Sequence, residues 1–573
     1  MSSTQRGGVA PAGVAVTPKD EGDDASRDLL ERCGWSFVWI GVLLTGLWSS
    51  NNWLNSPWEA WLAPLTIGVA IGGGTWIWAV RGEITTRARV VSIAAALLAS
   101  FVPAALDIHT RRYLATDSTT FNQLAAELLA HGHNPYGVTF TGAWRLLHPV
   151  SDYWTYLATG GHVTQVSYPA GSFLLVAPFV ALGFHHAISD WVDLYAWAIS
   201  AVLLIAMLPR RLGWLACALV LFAGFTGAFS GGGTDALFVP FLLLAVWRWD
   251  RYSRAGSPRI YSWLSPVALG MACAIKQSPW FVVPFLILGI TLELTRTGRS
   301  AVVPACRYLA IVGGVFALVN LPFIIVNPSS WLHSVVLPFF QPLIPDGAGV
   351  VGLALHGLTG GAVLPWLSAA GLMALLALLV AFVRWYPLLK RGWLFALPVV
   401  LFIPPRSLLS YLTDFIPAAI VAALCVEPAP PSSPRAPRSL GALALVATVA
   451  CGAMVVVGLT IAPLRITVLG VGTSQEYQVL NHVALRVDNT SSKSVDPHFM
   501  VDLNGGHPDG FWRVRVVSGH LPLKPGATAL VVITPPSFLW APSFGSFWIV
   551  DAYSNSPNAI STSPLQQWRL RGL

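Results

Sequence analysis

Long apolar segments follow one another through most of this chain of 573 residues, and they constrain its fold more than any other feature of the sequence. A run of about 15 to 25 apolar residues is long enough to cross a bilayer as a helix. The sequence therefore predicts a polytopic α-helical membrane protein with about thirteen transmembrane helices. We place these helices near residues 34–49, 60–80, 90–106, 190–208, 213–230, 235–248, 261–275, 279–294, 302–325, 362–384, 392–404, 410–425 and 439–462.

Composition supports a membrane protein and argues against a soluble protein, a nucleic-acid-binding protein and a protein held by disulfides. Hydrophobic residues make up 54% of the chain and charged residues 10%, against about 25% charged residues in a typical soluble protein. The net charge of +8 comes from basic residues scattered through loops rather than gathered in a stripe, so we expect no nucleic-acid partner. The six cysteines lie in or beside apolar segments, so we expect neither disulfides nor a cysteine-bound metal.

The distribution of arginine and lysine predicts the orientation in the cell membrane. We interpret the apolar segment Ser167–His186 as re-entrant, because counting it as a crossing would place Arg210 and Arg211 outside the cell. Most basic residues of the helical region then fall on the cytosolic side, as the positive-inside rule requires. An odd number of crossings from a cytosolic amino terminus places the long loop 107–189 and the carboxyl terminus outside the cytosol.

The sequence changes character after about residue 463. Short alternating stretches at Tyr477–Val487, Phe511–Val517 and Ala529–Thr534 are separated by turns such as Asn504–Gly506. This pattern is typical of antiparallel strands in a small sandwich. The predicted domain order is a disordered cytosolic tail at 1–33, a transmembrane domain at 34–462 and an extracytoplasmic β-sandwich domain at 463–573.

Five ionisable residues lie at the ends of predicted spans on one side of the membrane. They are Asp107, Asp117, Asp235, Lys276 and Arg406, and the predicted topology places all of them outside. Because lipid makes an unpaired charge costly, an ionisable group kept at such a place is a candidate functional group. The sequence therefore indicates chemistry at a membrane face.

The first outer loop contains a predicted helix that begins near Asp117. The segment Thr120–Gln123 fits a capping box, and Gly132 ends the pattern. One face is apolar and would lie in the membrane interface, with Phe121, Leu124, Leu128 and Leu129 on it. At the amino end of this helix the dipole favours an ionised carboxylate, which could accept a proton. The alternative is that Asp117 is simply a helix-capping acid.

The same loop resembles a known enzyme superfamily. The spacing Asp117-x-x-x-Phe121, followed by Ala125, Leu128, Gly132 and His133-Asn134-Pro135-Tyr136, resembles the D-x-x-x-Y/F…A-x-x-L-x-x-G-x-x-P-Y segment of the GT-C superfamily of integral-membrane glycosyltransferases. Further elements resemble its bacterial mannosyltransferase-type branch, and they are Tyr168-Pro169-Ala170, Gly233-Thr234-Asp235, Ala274–Pro279, Asn320–Phe323 and Arg406-x-x-x-x-Tyr411. The likeness covers residues 90–425. The chain departs from the pattern at Ala170, where a second proline is usual, in two extra helices before residue 90, and in its carboxy-terminal sandwich.

The resemblance implies transfer of a sugar from a polyprenyl-phosphate donor. Such a transfer needs a base for the acceptor proton and cations for the departing phosphate. In the superfamily an aspartate of the first outer loop is the base, which corresponds to Asp117 here. Asp107 is the rival candidate, because it too follows a helix into this loop.

The donor phosphate has three candidate ligands. Lys276 and Arg406 would supply charge and Gln277 a neutral hydrogen-bond donor, although either cation could instead extend to the interface without a ligand. The candidates for contact with the sugars are His133, Tyr136, Tyr168, Asp235 and Tyr411. The histidines of the first loop have no tight ligand spacing, so we predict no metal and no other cofactor.

The function expected is glycosyl transfer outside the cytosol. The sugar would be mannose or another hexose or pentose, and the acceptor a lipid-linked or cell-envelope glycan. The alternative is a transporter or flippase of a lipid-linked glycan, in which charges line a path between two equivalent halves. A third interpretation is a structural or sensory protein whose sandwich binds a partner. Trp512, Trp540 and Trp548 could bind glycan or form the sandwich core.

Overall fold

A computed structural model gives the fold of most of the chain. It describes residues 21–51, 57–80, 83–147, 154–225, 234–254, 256–355, 364–428, 462–474, 479–503, 510–536, 541–543 and 545–567. The chain divides into two compact units, Met1–Ala96 and Leu97–Leu573.

The first unit consists of helices α1 (Glu21–Asn51), α2 (Pro57–Ala79) and the beginning of α3 (Thr86–Thr110). Helix α1 starts well before the predicted position at residue 34, so the last part of the predicted disordered tail is helical. The reason lies in its charged side chains. The Arg32 guanidinium is buried and donates to the carbonyls of Ile77 and Val80 at 2.8 and 2.9 Å, while Glu31 pairs with Arg89 at 2.7 Å.

The second unit contains the remaining helices. They are α4 (Asp117–Ala130), α5 (Gly171–Leu174), α6 (Ala177–Ala181), α7 (Ile188–Met207), α8 (Gly213–Phe225), α9 (Val239–Val246), α10 (Tyr261–Ile275), α11 (Val283–Arg296), α12 (Val302–Val326), α13 (Pro328–Val336), α14 (Gly352–Leu355), α15 (Leu364–Arg384), α16 (Tyr386–Leu389), α17 (Trp393–Leu401) and α18 (Ser410–Cys425).

Five helices of the described residues are long and apolar enough to cross a membrane. They are Thr86–Thr110, Ile188–Met207, Ser278–Arg296, Val302–Val326 and Leu364–Arg384. The predicted spans at 235–248, 261–275 and 410–425 form shorter apolar helices, and the last predicted span, 439–462, lies almost wholly outside the described residues. The chain is therefore a helical membrane protein, and the number of thirteen crossings stays a prediction.

The segment Ser167–His186 contains two short helices, α5 and α6, rather than one long one. Pro169 and Pro178 interrupt the helical pattern, and Gly183 takes a φ of +90°, which a residue without a Cβ adopts readily. Neither helix is long enough to cross a bilayer. The described backbone thus agrees with treating this segment as something other than a crossing.

The carboxy-terminal region is a β-sandwich of two four-stranded antiparallel sheets. One sheet has the order β3-β4-β7-β6, formed by Leu464–Ser474, Val479–Asn489, Thr528–Thr534 and Arg513–Ser518. In the other, β8 pairs on one side with β5 and on the other with β9 and β10, formed by Phe547–Asn555, His498–Leu503, Asn558–Thr562 and Gln566–Gln567. The three predicted strands correspond to β4, β6 and β7.

The second sheet also packs against the helical part of the unit. Val550 and Ala552 of β8 belong to the sandwich core together with Trp512 and Trp548, which supports the core interpretation of these two tryptophans. Trp540 lies outside the described residues. Because side chains alternate along a strand, Tyr553 points to the opposite face, where it joins the hydrophobic core of the helices. The sandwich is therefore an integral part of the second unit.

A buried ion-pair cluster joins several chain segments of the second unit. The Lys390 ammonium lies 3.3 Å from Asp250 and 3.0 Å from Glu293, and both Lys390 and Asp250 are almost fully buried. Asp250 also accepts a hydrogen bond from the Glu427 backbone at 3.1 Å. In surroundings of low polarity each of these charges depends on its partner.

We expect the Lys390→Met variant to be strongly destabilised. Removing one partner of a buried ion pair costs about 3–5 kcal/mol, and the free energy of unfolding should fall by that amount. Unfolding of the full chain by SDS in mixed micelles measures the change. The control is Arg254→Ala, which removes an exposed ion pair with Glu427 and should cost less than about 1 kcal/mol. Equal losses of unfolding free energy in the two variants would contradict a stabilising role of the buried ion pairs of Lys390.

Candidate active site

A cavity of about 400 Å³ lies in the second unit. Its polar lining comes from α4, from the loop before α5, from the junction between α10 and α11, from the segment before α18 and from the first residue of β9. Its apolar lining includes Phe281, Pro338, Phe339, Leu364 and Leu401. The cavity therefore joins charged groups to a wall suited to hydrocarbon.

Most of the predicted site residues meet at this cavity. Those that line it are Asp117, Tyr168, Lys276, Gln277, Arg406 and Tyr411. They come from segments far apart in the sequence. Asp235 lies next to the group, because its carboxylate forms an ion pair with Lys276.

Asp117 is the first residue of α4, and the sequence around it explains why the helix starts there. Thr116 is the N-cap, and its side chain accepts a hydrogen bond from the Thr119 backbone while Thr119 bonds back to Thr116. The capping box therefore lies at Thr116 and Thr119, and the prediction of Thr120–Gln123 is wrong. The predicted end is correct, because Gly132 follows the C-cap with a φ of +79°.

The first two turns of α4 are buried on all sides rather than on one apolar face. Every residue from Asp117 to Gln123 is buried, and the Gln123 amide donates to the carbonyl of His185 at 2.7 Å. The predicted picture of a helix with one polar face therefore applies only to its last turns. Protein therefore surrounds the amino end of the helix, where the Asp117 carboxylate lies.

The Asp117 carboxylate is 7% exposed, and its Oδ2 accepts a hydrogen bond from the Thr155 backbone N–H at 2.7 Å. Burial raises the pKa of Asp117, while the hydrogen bond from Thr155 and the charge of Arg406 oppose that rise. The helix dipole, which favours ionisation, does not decide the outcome. The result is a carboxylate that is a stronger base than an ordinary aspartate.

Lys276 follows the last residue of α10, where the backbone becomes extended. Its ammonium pairs with Asp235 and lies 5.3 Å from the centre of the Tyr168 ring. The charges of Asp193 and Asp414 also act on it. Several carboxylates therefore share the positive charge of this lysine.

Gln277 lines the cavity, but its amide hydrogens are already used. The amide nitrogen donates to the carbonyl of Ser167 at 2.7 Å and to that of Val335 at 3.0 Å. An amide group has two N–H donors, so this geometry contradicts the prediction that Gln277 donates to a phosphate. The side chain instead holds two loops together beside the cavity.

Arg406 is positioned by a short parallel ladder between two loops. Strand β2 (Arg406–Ser407) pairs with β1 (Asp346–Gly347), and the guanidinium lies 3.5 Å from Asp346. Gly347 has a φ of +116°, and a Cβ there would clash with the Ser407 carbonyl oxygen, so the close approach requires glycine. The guanidinium has five N–H donors, and this long contact with Asp346 is its one ion pair within the described ranges.

The other predicted residues do not line the cavity. Asp107 is exposed at the end of α3 and pairs with Arg111, and His133 is exposed beyond the end of α4. Tyr136 is buried, and its hydroxyl donates to the Tyr168 carbonyl at 2.8 Å. Its ring also packs against Phe173. Tyr136 therefore supports Tyr168 instead of facing a sugar.

The sequence prediction did not include three buried carboxylates, of which Asp193 and Asp414 act on the charge of Lys276. Asp190 and Asp193 are fully buried on α7, and Asp414 is buried on α18. Asp190 pairs with Arg111 at 3.1 Å. Their signal was visible, because acidic residues inside apolar spans are by default functional candidates.

No protein family matches the sequence, and no curated protein matches it. Among solved structures, one match is ArnT from Cupriavidus metallidurans bound to undecaprenyl phosphate, with 16% sequence identity and a TM-score of 0.36. The match covers 64% of this chain and 64% of that one, so the chain spans less than two thirds of the length of ArnT.

We expect the Asp117→Asn variant to be more stable than the wild type at pH 8. A raised pKa means that protonation of Asp117 favours the folded state, so its contribution is fully present below the usual aspartate pKa of about 3.9 and is lost as the pH rises through the raised value. Asparagine keeps an acceptor for the Thr155 N–H without the buried charge.

Thermal unfolding at pH 8 and at pH 4 measures this difference. The gain in Tm should be present at pH 8 and absent at pH 4. Asp107→Asn, at an exposed carboxylate, should behave as the wild type. A loss of stability in Asp117→Asn at both pH values would show that the charge itself holds the fold.

Proposed function

We propose that this chain is a membrane glycosyltransferase that takes a sugar from a polyprenyl-phosphate donor and adds it to a hydroxyl of an acceptor glycan. The observation that carries this proposal is one cavity that combines a buried carboxylate, two cationic side chains and an apolar wall. Each part matches one requirement of the reaction: a base, a binding site for phosphate and a place for the isoprenoid chain.

Asp117 has the role of general base. The acceptor oxygen attacks the anomeric carbon of the donor sugar, its proton moves to Asp117, and the bond from that carbon to the phosphate oxygen breaks. The electron pair leaves with polyprenyl phosphate. The raised pKa of Asp117 suits proton transfer, because a base is most effective when its pKa approaches the working pH. Attack opposite the leaving phosphate would invert the anomeric centre.

Arg406 has the leading role in holding the phosphate. Its guanidinium lines the cavity, and its contact with Asp346 is long, which leaves N–H donors for a bidentate contact with phosphate oxygens. Lys276 adds positive charge to the same cavity, but Asp235, Asp193 and Asp414 already balance it. The arginine therefore has more capacity for a new anion than the lysine.

The apolar wall supports a lipid-linked donor rather than a soluble one. Phe281 belongs to the span Ser278–Arg296, and Leu364 begins the span Leu364–Arg384, so the cavity adjoins two helices able to cross a membrane. An isoprenoid chain can lie against these helices while its phosphate reaches Arg406. A nucleotide-sugar donor would need polar contacts in place of this wall.

The sequence supports the choice of sugar and acceptor and the side of the membrane on which transfer takes place. The sugar is mannose or another hexose or pentose, the acceptor is a lipid-linked or cell-envelope glycan, and the cavity opens outside the cytosol. Labelling of single cysteines placed in loop 107–189 tests the last point. Labelling from the cytosolic side would contradict it.

We expect the Asp117→Asn variant to lose transfer while it stays folded. Removing the general base should lower kcat by about 100-fold or more. The assay uses purified full-length protein in nanodiscs with a panel of radiolabelled polyprenyl-phosphate sugars and octyl glycoside acceptors, and it measures labelled glycoside. The control Asp107→Asn should keep normal turnover. Normal turnover in Asp117→Asn would remove the assignment, and movement of a labelled lipid-linked glycan without a new glycosidic bond would favour a flippase.

We expect Arg406→Lys to retain part of the activity that Arg406→Ala loses. Loss of the guanidinium should lower kcat/KM by about 100-fold, because a charged donor to the leaving group is removed, while lysine restores the charge without the bidentate geometry. The control is Arg145→Ala, at an arginine of the predicted outer loop 107–189 that does not line the cavity. Inhibition by free undecaprenyl phosphate provides a second measurement and should weaken in both Arg406 variants. Unchanged inhibition would contradict phosphate binding at Arg406.

A further inference from the structure

The tip of the hairpin formed by β8 and β9 reaches the cavity. The hairpin turns through Ser556 and Pro557, and Asn555 and Asn558 face each other as the last ladder pair before the turn. Asn558 lines the same cavity as Asp117 and Arg406. The sandwich therefore supplies part of the wall around the proposed catalytic groups.

Packing fixes the sandwich next to the proposed base. The ring of Phe511 lies 5.6 Å from that of Tyr156 in the outer loop and 6.4 Å from that of Tyr553 on β8. Tyr156 directly follows Thr155, whose backbone N–H donates to Asp117. The carboxylate contacts Thr155, and the sandwich contacts the next residue, Tyr156, through Phe511. Aromatic packing therefore sets the position of the hairpin relative to the carboxylate.

Asn558 has the chemistry of a sugar-binding residue. Its side chain is half-buried and makes no hydrogen bond with any residue that the structure describes. An asparagine amide both donates and accepts hydrogen bonds, as does a sugar hydroxyl. It carries no charge to offer a phosphate and is a poor neighbour for an isoprenoid chain. Since Arg406 is the proposed ligand of the donor phosphate, a neutral amide contributed by the polar sandwich suits the acceptor.

We infer that the tip of this hairpin belongs to the acceptor site and that Asn558 is a specificity-determining residue which bonds a hydroxyl of the acceptor sugar. This inference rests on the proposed glycosyl transfer. It gives the sandwich a direct part in substrate selection, which the helices alone would not explain.

The test compares Asn558→Ala with Asn555→Ala in the full-length protein. Asn555 is the matched control, because it is the same residue type, faces Asn558 across the ladder and is exposed outside the cavity lining. The probes are octyl glycosides and their monodeoxy analogues, with the radiolabelled donor of the transfer assay. Asn558→Ala should raise the acceptor KM by about 5- to 10-fold, the effect of one neutral hydrogen bond, and leave the donor KM unchanged.

A second comparison identifies the hydroxyl. In the wild type and in Asn555→Ala, one monodeoxy glycoside should be a weaker acceptor than its parent, and in Asn558→Ala this difference should disappear, as expected for two groups that form one bond. Asn558→Ser keeps a hydroxyl at the tip and should have an intermediate KM. It also tests the proposal should the alanine variant fold poorly.

The outcomes separate this inference from the proposed function. Equal acceptor KM values in Asn558→Ala and Asn555→Ala would overturn the inference while transfer by the wild type stands. A rise in the donor KM alone would overturn the acceptor assignment. Failure of the wild type to transfer any sugar of the panel would overturn both.

Discussion

The desolvation of the Asp117 carboxylate is the constraint on which the rest of the site depends. An acid can stay buried only where hydrogen bonds and opposite charge replace water, and here the Thr155 N–H and the charge of Arg406 do this. Neither belongs to the helix that carries the acid. The position of the loop, of the ladder that holds Arg406 and of the sandwich packed on Tyr156 therefore all bear on one carboxylate.

The balance of charge around Lys276 assigns different work to the two cations. Lys276 lies among carboxylates that are shielded from water. Its positive charge is therefore largely needed to compensate their burial. Among the described residues Arg406 forms one long ion pair, with Asp346, and its planar guanidinium has further N–H donors. A lysine and an arginine that look equivalent in the sequence thus have distinct surroundings, and the proposed reaction assigns the phosphate to the arginine.

Much of the architecture could be predicted from the sequence, because apolar length and alternation are local signals. The strands, the end of α4 at Gly132 and the meeting of Asp117, Lys276 and Arg406 follow from such patterns. The failures concern partners that are distant in the chain. The prediction that Gln277 binds a ligand is wrong, because its amide donates to the carbonyls of Ser167 and Val335. The sequence gives no sign that these distant residues come together. The proximity of Asn558 to the cavity likewise depends on the docking of a whole sheet.

The ladder between β1 and β2 restricts the movement of one side of the cavity. Main-chain pairing and the close approach at Gly347 tie the two loops together, so neither can swing aside without the other. Arg406 can therefore move only together with both paired strands. In the proposed reaction the ladder therefore keeps the phosphate-binding side of the cavity in place, and the lipid and the glycan would enter from other sides.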